Sequence, residues 1–172
     1  ALQGYLRNPL AEPGLIGVSG SAALGAVISL QTGFATYVWM GLPIAAFSFA
    51  TVAVLLLLLL AGPRGSSLTL ILAGIAVSAL AGAFTSLALN LSPNPYATSE
   101  IIFWLMGSLA DRSFEHVWLA LPFCLIGWLM IASIGKALDA LTLGEGVASS
   151  LSISLTKTKL LLVFGVASSV GA

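Results

Sequence analysis

The chain has 172 residues, of which 59% are hydrophobic and only 7% are charged, and its formal net charge is zero. Soluble globular domains carry about 25% charged residues, so this composition excludes a water-soluble domain. No cluster of Lys and Arg is present to neutralise phosphates, which makes DNA and RNA poor candidates as partners and the lipid bilayer the expected surroundings.

A first apolar helix is predicted over residues 17–31, after an irregular segment that contains Asn8, Pro9 and Pro13. It is short for a full crossing. Three later stretches, 42–61, 68–91 and 117–135, contain no Asp, Glu, Lys, Arg or His. A helix needs about 20 residues to cross a hydrocarbon core of about 30 Å, so each of these stretches is predicted to span the membrane.

The connections between these helices differ in character. Residues 32–41 are rich in aromatics, which settle at the membrane interface, and residues 62–67 form a tight polar turn. Residues 101–109 are predicted to form a short helix that lies at the interface or re-enters only partly. Residues 136–159 form the longest polar connection, and the apolar stretch 160–172 is too short to span. We expect both ends of the chain to lie within helices of a longer protein.

The distribution of positive charge predicts the orientation. If the spans alternate, Arg112 lies on one side and all other basic residues on the opposite side, namely Arg7, Arg64, Lys136, Lys157 and Lys159. Cytoplasmic loops carry the excess of Lys and Arg, so the second group is placed in the cytoplasm. The aromatic residues gather on the other side, which agrees with this topology.

Two helices carry small residues at every fourth position. The first ridge is Gly17, Ser21, Gly25 and Ser29, and the second is Gly74, Ser78, Gly82 and Ser86. A four-residue step keeps small side chains on one helix face, where helices can approach closely and hydroxyls can bond across them. Helix packing is the favoured interpretation, and a share in a translocation path is the alternative.

The sequence offers little for catalysis. His116 is the sole histidine and Cys124 the sole cysteine, so paired-histidine zinc motifs and disulfides are impossible, and no phosphate-binding loop occurs. His116 with Asp111, Arg112 and Glu115 is interpreted as a solvated outer turn instead of a metal or proton site. We therefore expect no enzymatic activity, no metal and no cofactor. The long spans also lack the ionisable groups that proton-coupled carriers normally need.

The polar connection contains a candidate docking helix. Residues 146–154 are predicted to form a short amphipathic helix outside the membrane, in which Val147 and Leu151 share a face. A helix resting on lipid would normally have a Trp or Phe anchor or a dense basic face, and both are missing here. A protein partner is therefore favoured.

Five stretches together resemble the successive signatures of one family. They are NPLAEPGLIGVS at 8–19, AALG at 22–25, LILAGIA at 70–76, FWLMGSL at 103–109 and LDALTLGE at 138–145. In this order they resemble the FecCD-type permeases, the membrane subunits of ABC importers for ferric siderophores, haem and cobalamin. The similarity covers nearly the whole chain and about the middle half of such a permease, from its second helix into its seventh.

The resemblance implies an all-α polytopic transmembrane helix bundle, with residues 1–172 as a fragment of a permease domain of roughly ten helices in the bacterial cytoplasmic (inner) membrane. It implies a second permease subunit, cytoplasmic ABC ATPase subunits and a periplasmic or lipoprotein substrate-binding protein as partners. The ATPase-coupling residues would be Leu141, Leu143, Gly144, Glu145, Val147, Ala148 and Leu151. Ser66 and Ser67 would belong to the cytoplasmic gate.

The chain departs from the family pattern at Gly146, where an acidic residue is common, at Ser149, where Arg is common, and at Ser152, where Gly is common. The first two departures weaken any charge pairing with an ATPase. Two rival functions remain open: an ATPase-independent carrier or channel, which would need buried charge or a filter motif, and a structural membrane anchor, which would not need the cytoplasmic helix.

Overall fold

A computed structural model describes residues 1–62, 66–92, 95–107 and 113–171, apart from the side chains of Pro95, Tyr96, Ala97, Glu100, Trp104 and Glu145. All regular structure within these ranges is helical. The helices are α1 (Leu2–Leu6), α2 (Val18–Gln31), α3 (Phe34–Tyr37), α4 (Gly41–Ala61), α5 (Ser67–Asn90), α6 (Pro95–Leu105), α7 (Phe114–Ser133), α8 (Gly135–Thr142), α9 (Glu145–Ser150) and α10 (Leu155–Val170), and a 3₁₀ turn covers Pro13–Ile16.

Three of these helices, α4, α5 and α7, are long and apolar enough to cross a membrane. The bounds of α4 and α5 lie within one residue of the predicted spans, and α7 starts three residues and ends two residues earlier than predicted. At the start of α5, the side chain of Ser66 caps the helix. The prediction of an all-α polytopic bundle is confirmed.

Helix α2 has only 14 residues because it begins halfway through the bundle. Its N-terminal residue Gly17 packs on Ser78, which is at the midpoint of α5, and Gln31 at its other end donates from Nε2 to the carbonyl oxygen of Ala88, 2.7 Å away. With a rise of about 1.5 Å per residue, α2 covers only the half of the bundle that leads to the C-terminal end of α5, which is the predicted outer end. The chain reaches this starting point through the 3₁₀ turn.

Packing divides the bundle into two parts. Helix α2 packs against α4 and α5, α7 packs against α10, and α1 packs against α8. A shared core at the predicted cytoplasmic end joins them, and its fully buried members include Leu57, Leu141, Ala148, Leu162 and Val163. Helices α8 and α9 are thus held to the spans by apolar contacts.

Three predicted boundaries require correction. The short helix predicted over residues 146–154 is α9, which ends at Ser150, because Leu151 is its C-cap and Ser152 adopts a left-handed φ of 61°. The polar connection ends at Ser154 and not at Lys159, because the Ser154 side chain caps α10 by accepting a hydrogen bond from the backbone N–H of Lys157 at 3.3 Å. The short helix predicted at 101–109 is α6, which begins earlier, at Pro95, and ends at Leu105. Residues 108 and 109, like Arg64, Asp111 and Arg112, lie outside the described part of the chain.

Candidate functional site

The predicted coupling region is a pair of short helices joined at Gly144. This residue has φ 114° and ψ 153°, a backbone conformation that side-chain-bearing residues rarely adopt, so glycine is required to turn the chain from α8 into α9. The backbone N–H of Ala148 donates to the carbonyl oxygen of Gly144 at 3.0 Å, and that of Ile153 donates to the carbonyl oxygen of Ala148 at 3.2 Å. These bonds fix α9 between α8 and α10.

The side chains of this region point in two directions. Leu141 and Ala148 are buried in the core shared with the spans, with 2% and 0% of their surface exposed. Leu143 precedes the Gly144 turn, Val147 lies in α9 and Leu151 caps the end of α9. All three are exposed, and we call these three side chains the apolar stripe. The predicted coupling set thus splits into residues that anchor the region and residues that present a surface. The side chain of Glu145 lies outside the description.

Ser152 ends this region in a left-handed conformation, with φ 61°. A residue with a Cβ pays an energetic cost there that glycine avoids. The conformation gives a physical reason for the glycine that the family resemblance leads us to expect at this position.

The predicted gate residues lie at the start of α5. Ser66 is its N-cap, and its Oγ accepts a hydrogen bond from the backbone N–H of Thr69 at 3.4 Å. Ser67 is the first helical residue and is half-buried. On the other side of the turn, Gly62 ends α4 with φ 66°. The two serines therefore lie next to the ends of α4 and α5.

A buried lysine joins this turn to α10. Lys159 is 2% exposed, and its Nζ donates to the carbonyl oxygen of Gly62 at 2.5 Å. A cation at the C-terminal carbonyls of α4 is favoured by the helix dipole. Its stem, with Leu55, Leu58, Leu59 and Leu160, lines an apolar cavity of about 260 Å³. Sequence reasoning assigned Lys159 to the polar connection and missed this role, because its depth follows from where α10 begins.

The two predicted ridges do form close contacts, but over part of their length. A Cβ on Gly25 would lie 2.5 Å from the carbonyl oxygen of Ala45 in α4, and a Cβ on Gly74 would overlap the carbonyl oxygen of Leu15. Ser21 and Ser29 are buried between helices. Such contacts are possible only without a side chain.

Gly82 and Ser86 depart from the predicted ridge. Both are exposed, and no described atom lies within 4 Å of a Cβ placed on Gly82. The close contacts of this ridge with the 3₁₀ turn therefore end at Ser78, because the turn reaches only the middle of α5. A packing role for the outer two residues has no contact in the described ranges to support it.

One close contact was missed by the sequence reasoning. A Cβ on Gly127 in α7 would lie 2.5 Å from the carbonyl oxygen of Gly165 in α10, and Ser168 donates from Oγ to the carbonyl oxygen of Phe123 at 2.7 Å. Gly165 and Ser169 are four residues apart, which is a weak signal. Their partners in α7 show no matching repeat, so the pairing could not be found from one helix alone.

His116 Nδ1 lies 3.0 Å from Ser113 Oγ at the start of α7, and both residues are exposed. Among the residues that the structure describes, no group of three His, Cys, Asp or Glu side chains could hold a metal ion.

The helical bundle, its three potential spans and the anchored helices beside them define part of a multi-pass membrane protein. The model of the FecCD transport family matches residues 1–172, and the chain belongs to this family. The sequence-based resemblance is thereby confirmed.

Named relatives support this membership. The chain is 36% identical over 168 residues to the uncharacterized ABC transporter permease protein YvrB of Bacillus subtilis, which covers 95% of the chain and 47% of YvrB. It is 35% identical to the cobalamin import system permease protein BtuC of Halobacterium salinarum, covering 94% and 43%. It is 34% identical to the molybdate import system permease protein MolB of Haemophilus influenzae, covering 95% and 48%.

A solved structure agrees with the fold. It is described as an inward-facing conformation of a transporter assigned to the metal-chelate ABC type, and it superposes with a TM-score of 0.85 at 33% sequence identity. The superposition covers 99% of this chain and 54% of that one. The chain thus spans about half the length of the relatives that it matches.

Proposed function

We propose that the protein containing this chain is the permease subunit of a binding-protein-dependent ABC importer in the bacterial cytoplasmic membrane. It would carry a metal chelate such as a ferric siderophore, haem or cobalamin, driven by separate ATPase subunits, and would perform no catalysis of its own. Family membership and relatives named as import permeases for cobalamin and molybdate support this proposal. A second permease subunit and a binding protein would complete the importer.

The apolar stripe is the observation that carries the proposal. Leu143, Leu151 and Val147 are 69%, 60% and 42% exposed on a segment that is fixed by the fully buried Ala148. Large apolar side chains held rigidly outside the spans are typical of a surface that a protein partner covers. We assign this surface to the ATPase, and we assign Leu141 and Ala148 to holding it against the spans.

A mechanical connection leads from the stripe to the gate. Only residues 151–154 separate α9 from α10, and α10 carries the Lys159 that binds the carbonyl of Gly62. Closure of the ATPase subunits would displace α9, and α10 and the end of α4 would follow because these contacts join them. Ser66 and Ser67 would then move with the turn and open or close the cytoplasmic side.

The test is ligand-stimulated ATP hydrolysis by the reconstituted full-length complex. Leu151→Asp with Gly144→Pro should abolish transport and the stimulation of hydrolysis, and should leave membrane insertion intact. The carboxylate would be buried without a partner against the ATPase, at a cost of several kcal/mol, and proline cannot adopt φ 114°. Leu91→Asp serves as the matched control, because Leu91 is an equally exposed leucine at the outer end of α5.

Hydrolysis and ATPase binding like wild type in the double variant would show that the stripe does not couple the two subunits. The rival reading, an ATPase-independent carrier or channel, expects uptake by the permease alone in proteoliposomes. A carrier or channel that works without an ATPase gives no reason for the apolar stripe.

A further inference from the structure

An irregular stretch of chain reaches the middle of the bundle. The carbonyl oxygen of Gly14 accepts a hydrogen bond from Ser78 Oγ at 3.1 Å, and a Cβ on Gly17 would lie 2.8 Å from the backbone nitrogen of Ser78. Ser78 is the midpoint of α5, which runs from residue 67 to residue 90 and is long enough to span a membrane. The 3₁₀ turn is therefore at about the middle depth of the bilayer.

Glu12 is placed at this depth by the same turn. It is the extended N-cap residue before Pro13, its side chain is exposed, and Oε1 lies 3.3 Å from the position that a Cβ on Gly14 would occupy. The sequence reasoning found no ionisable residue within the long spans. The structure places an ionisable residue, Glu12, at mid-depth because the turn between α1 and α2 carries it there.

Two properties of this stretch are incompatible with contact to lipid. A carboxylate in hydrocarbon is expensive, and membrane proteins direct such groups to water-filled cavities or to partners in protein. Non-helical backbone at membrane depth is tolerated only where protein covers it or where it lines a cavity. Leu10, Glu12, Pro13 and Gly14 are nevertheless all exposed.

We propose that Glu12 lines a water-filled path through the membrane and gives that path a negative potential at mid-depth. Groups that are cationic or donate hydrogen bonds would be favoured there over anionic groups, because a charge between low-dielectric walls acts strongly on its surroundings. This inference deepens the proposed transport function and rests on it for the identity of the path. The inference does not depend on which ATPase drives transport.

The test measures the reactivity of a cysteine placed beside Glu12. Leu10 is two residues away from Glu12 and 84% exposed, so the cysteine is introduced there as Leu10→Cys. The full-length protein is used, with Cys124→Ser and any other cysteines replaced. Two thiol reagents of opposite charge are applied to membranes without ATPase, one carrying trimethylammonium and one carrying sulfonate. Val52→Cys at the middle of α4, an exposed apolar position, is the control for a site in lipid.

We expect Leu10→Cys to react at least about tenfold faster than Val52→Cys and to prefer the cationic reagent. Adding Glu12→Gln should lower the ratio of the cationic to the anionic rate by at least about threefold, since a nearby charge changes local ion concentrations by such factors. Glu12→Asp keeps the charge and should keep the ratio, which distinguishes loss of potential from loss of folding.

Equal, slow rates at Leu10→Cys and Val52→Cys would overturn the inference and place Glu12 against another part of the protein. A ratio that does not respond to Glu12→Gln would also overturn it. Because the labelling involves no ATPase, failure of ATP coupling would count against the proposed importer and leave the water-filled path standing.

Discussion

Two contacts within this bundle differ in the atoms that form them. At mid-depth the 3₁₀ turn rests on α5 through backbone atoms, with Gly74 and Gly17 leaving no room for a side chain. At the predicted cytoplasmic end, where α4 and α10 also share apolar core contacts, the long side chain of Lys159 in α10 reaches the carbonyl oxygen of Gly62 at the end of α4, beside an apolar cavity. The first contact is made by backbone atoms, whereas the polar part of the second is made by one flexible side chain.

The difference fits the parts that the two regions would play in transport. A residue such as Glu12 can hold a fixed position only if the turn that carries it cannot shift, and interlocked backbones provide that. The turn at 62–67 must move if it gates the path, and a flexible lysine can keep α4 and α10 associated while it does. Breaking each contact in turn should therefore give different kinds of defect.

The largest effect is expected for Gly74→Leu. Its side chain would overlap the backbone of Leu15, which cannot move aside without displacing the start of α2, so the variant should give little folded, monodisperse protein in mild detergent. Gly82→Leu is the matched control in the same helix, because the space around it is open in the described residues. The predicted packing ridge included Gly82 and would instead lead us to expect that Gly82→Leu also disrupts assembly.

If Gly74→Leu and Gly82→Leu were recovered with the same yield and elution profile, the backbone contact would not be the rigid element that we describe. Size-exclusion chromatography of the full-length protein provides this comparison. Gly74→Ala gives an intermediate case, since even one methyl group meets the carbonyl oxygen of Leu15.

A smaller effect is expected for Lys159→Met. The variant keeps the length of the side chain but leaves the carbonyl oxygen of Gly62 without its donor, which should lower the free energy of unfolding by about 1–3 kcal/mol. Lys157→Met, two residues earlier on the same helix and exposed, should change little. Heat unfolding in mild detergent reports the difference, and an unchanged midpoint for Lys159→Met would remove this contact from the account.

The sequence predicted the features that depend only on the residues of a single helix, such as the positions of the spans. Hydropathy located α4, α5 and α7, because a charge-free run of about 20 residues has few alternatives to a span. It could not show why α2 is short, since that depends on Gly17 meeting Ser78 sixty residues away. For the same reason Lys159 was assigned to a loop: its burial follows from the cap at Ser154 and from the position of Gly62.

The candidate site was also predicted in part and missed in part. The four-residue spacing of Val147 and Leu151 predicted a common face, and the structure leaves both of these side chains and that of Leu143 exposed. The sequence did not distinguish these exposed residues from the buried Leu141 and Ala148, because burial against the spans depends on the tertiary packing. Glu12 was part of a family signature in the sequence, but its depth required the contact between the turn and α5.

The smallest effect is expected for Ser152→Gly, which should raise the free energy of unfolding by about 0.5–1 kcal/mol. Glycine adopts the observed φ of 61° without the steric cost that serine pays. Ser149→Gly, within α9, should have the opposite sign, since glycine weakens a helix by a similar amount. Destabilisation by Ser152→Gly, measured by heat unfolding, would mean that the serine side chain outweighs the strain of its backbone.

The most direct test of the central claim is a site-directed crosslink from the apolar stripe. Val147→Cys, in the full-length protein with Cys124→Ser, is coupled to a short photoreactive crosslinker in native membranes, with Leu91→Cys at the outer end of α5 as the control. We expect Val147→Cys to give a product in which mass spectrometry finds peptides of an ABC ATPase, and Leu91→Cys to give none. A crosslink from Val147→Cys to lipid alone, with the ATPase present in the same membranes, would contradict the assignment of this surface.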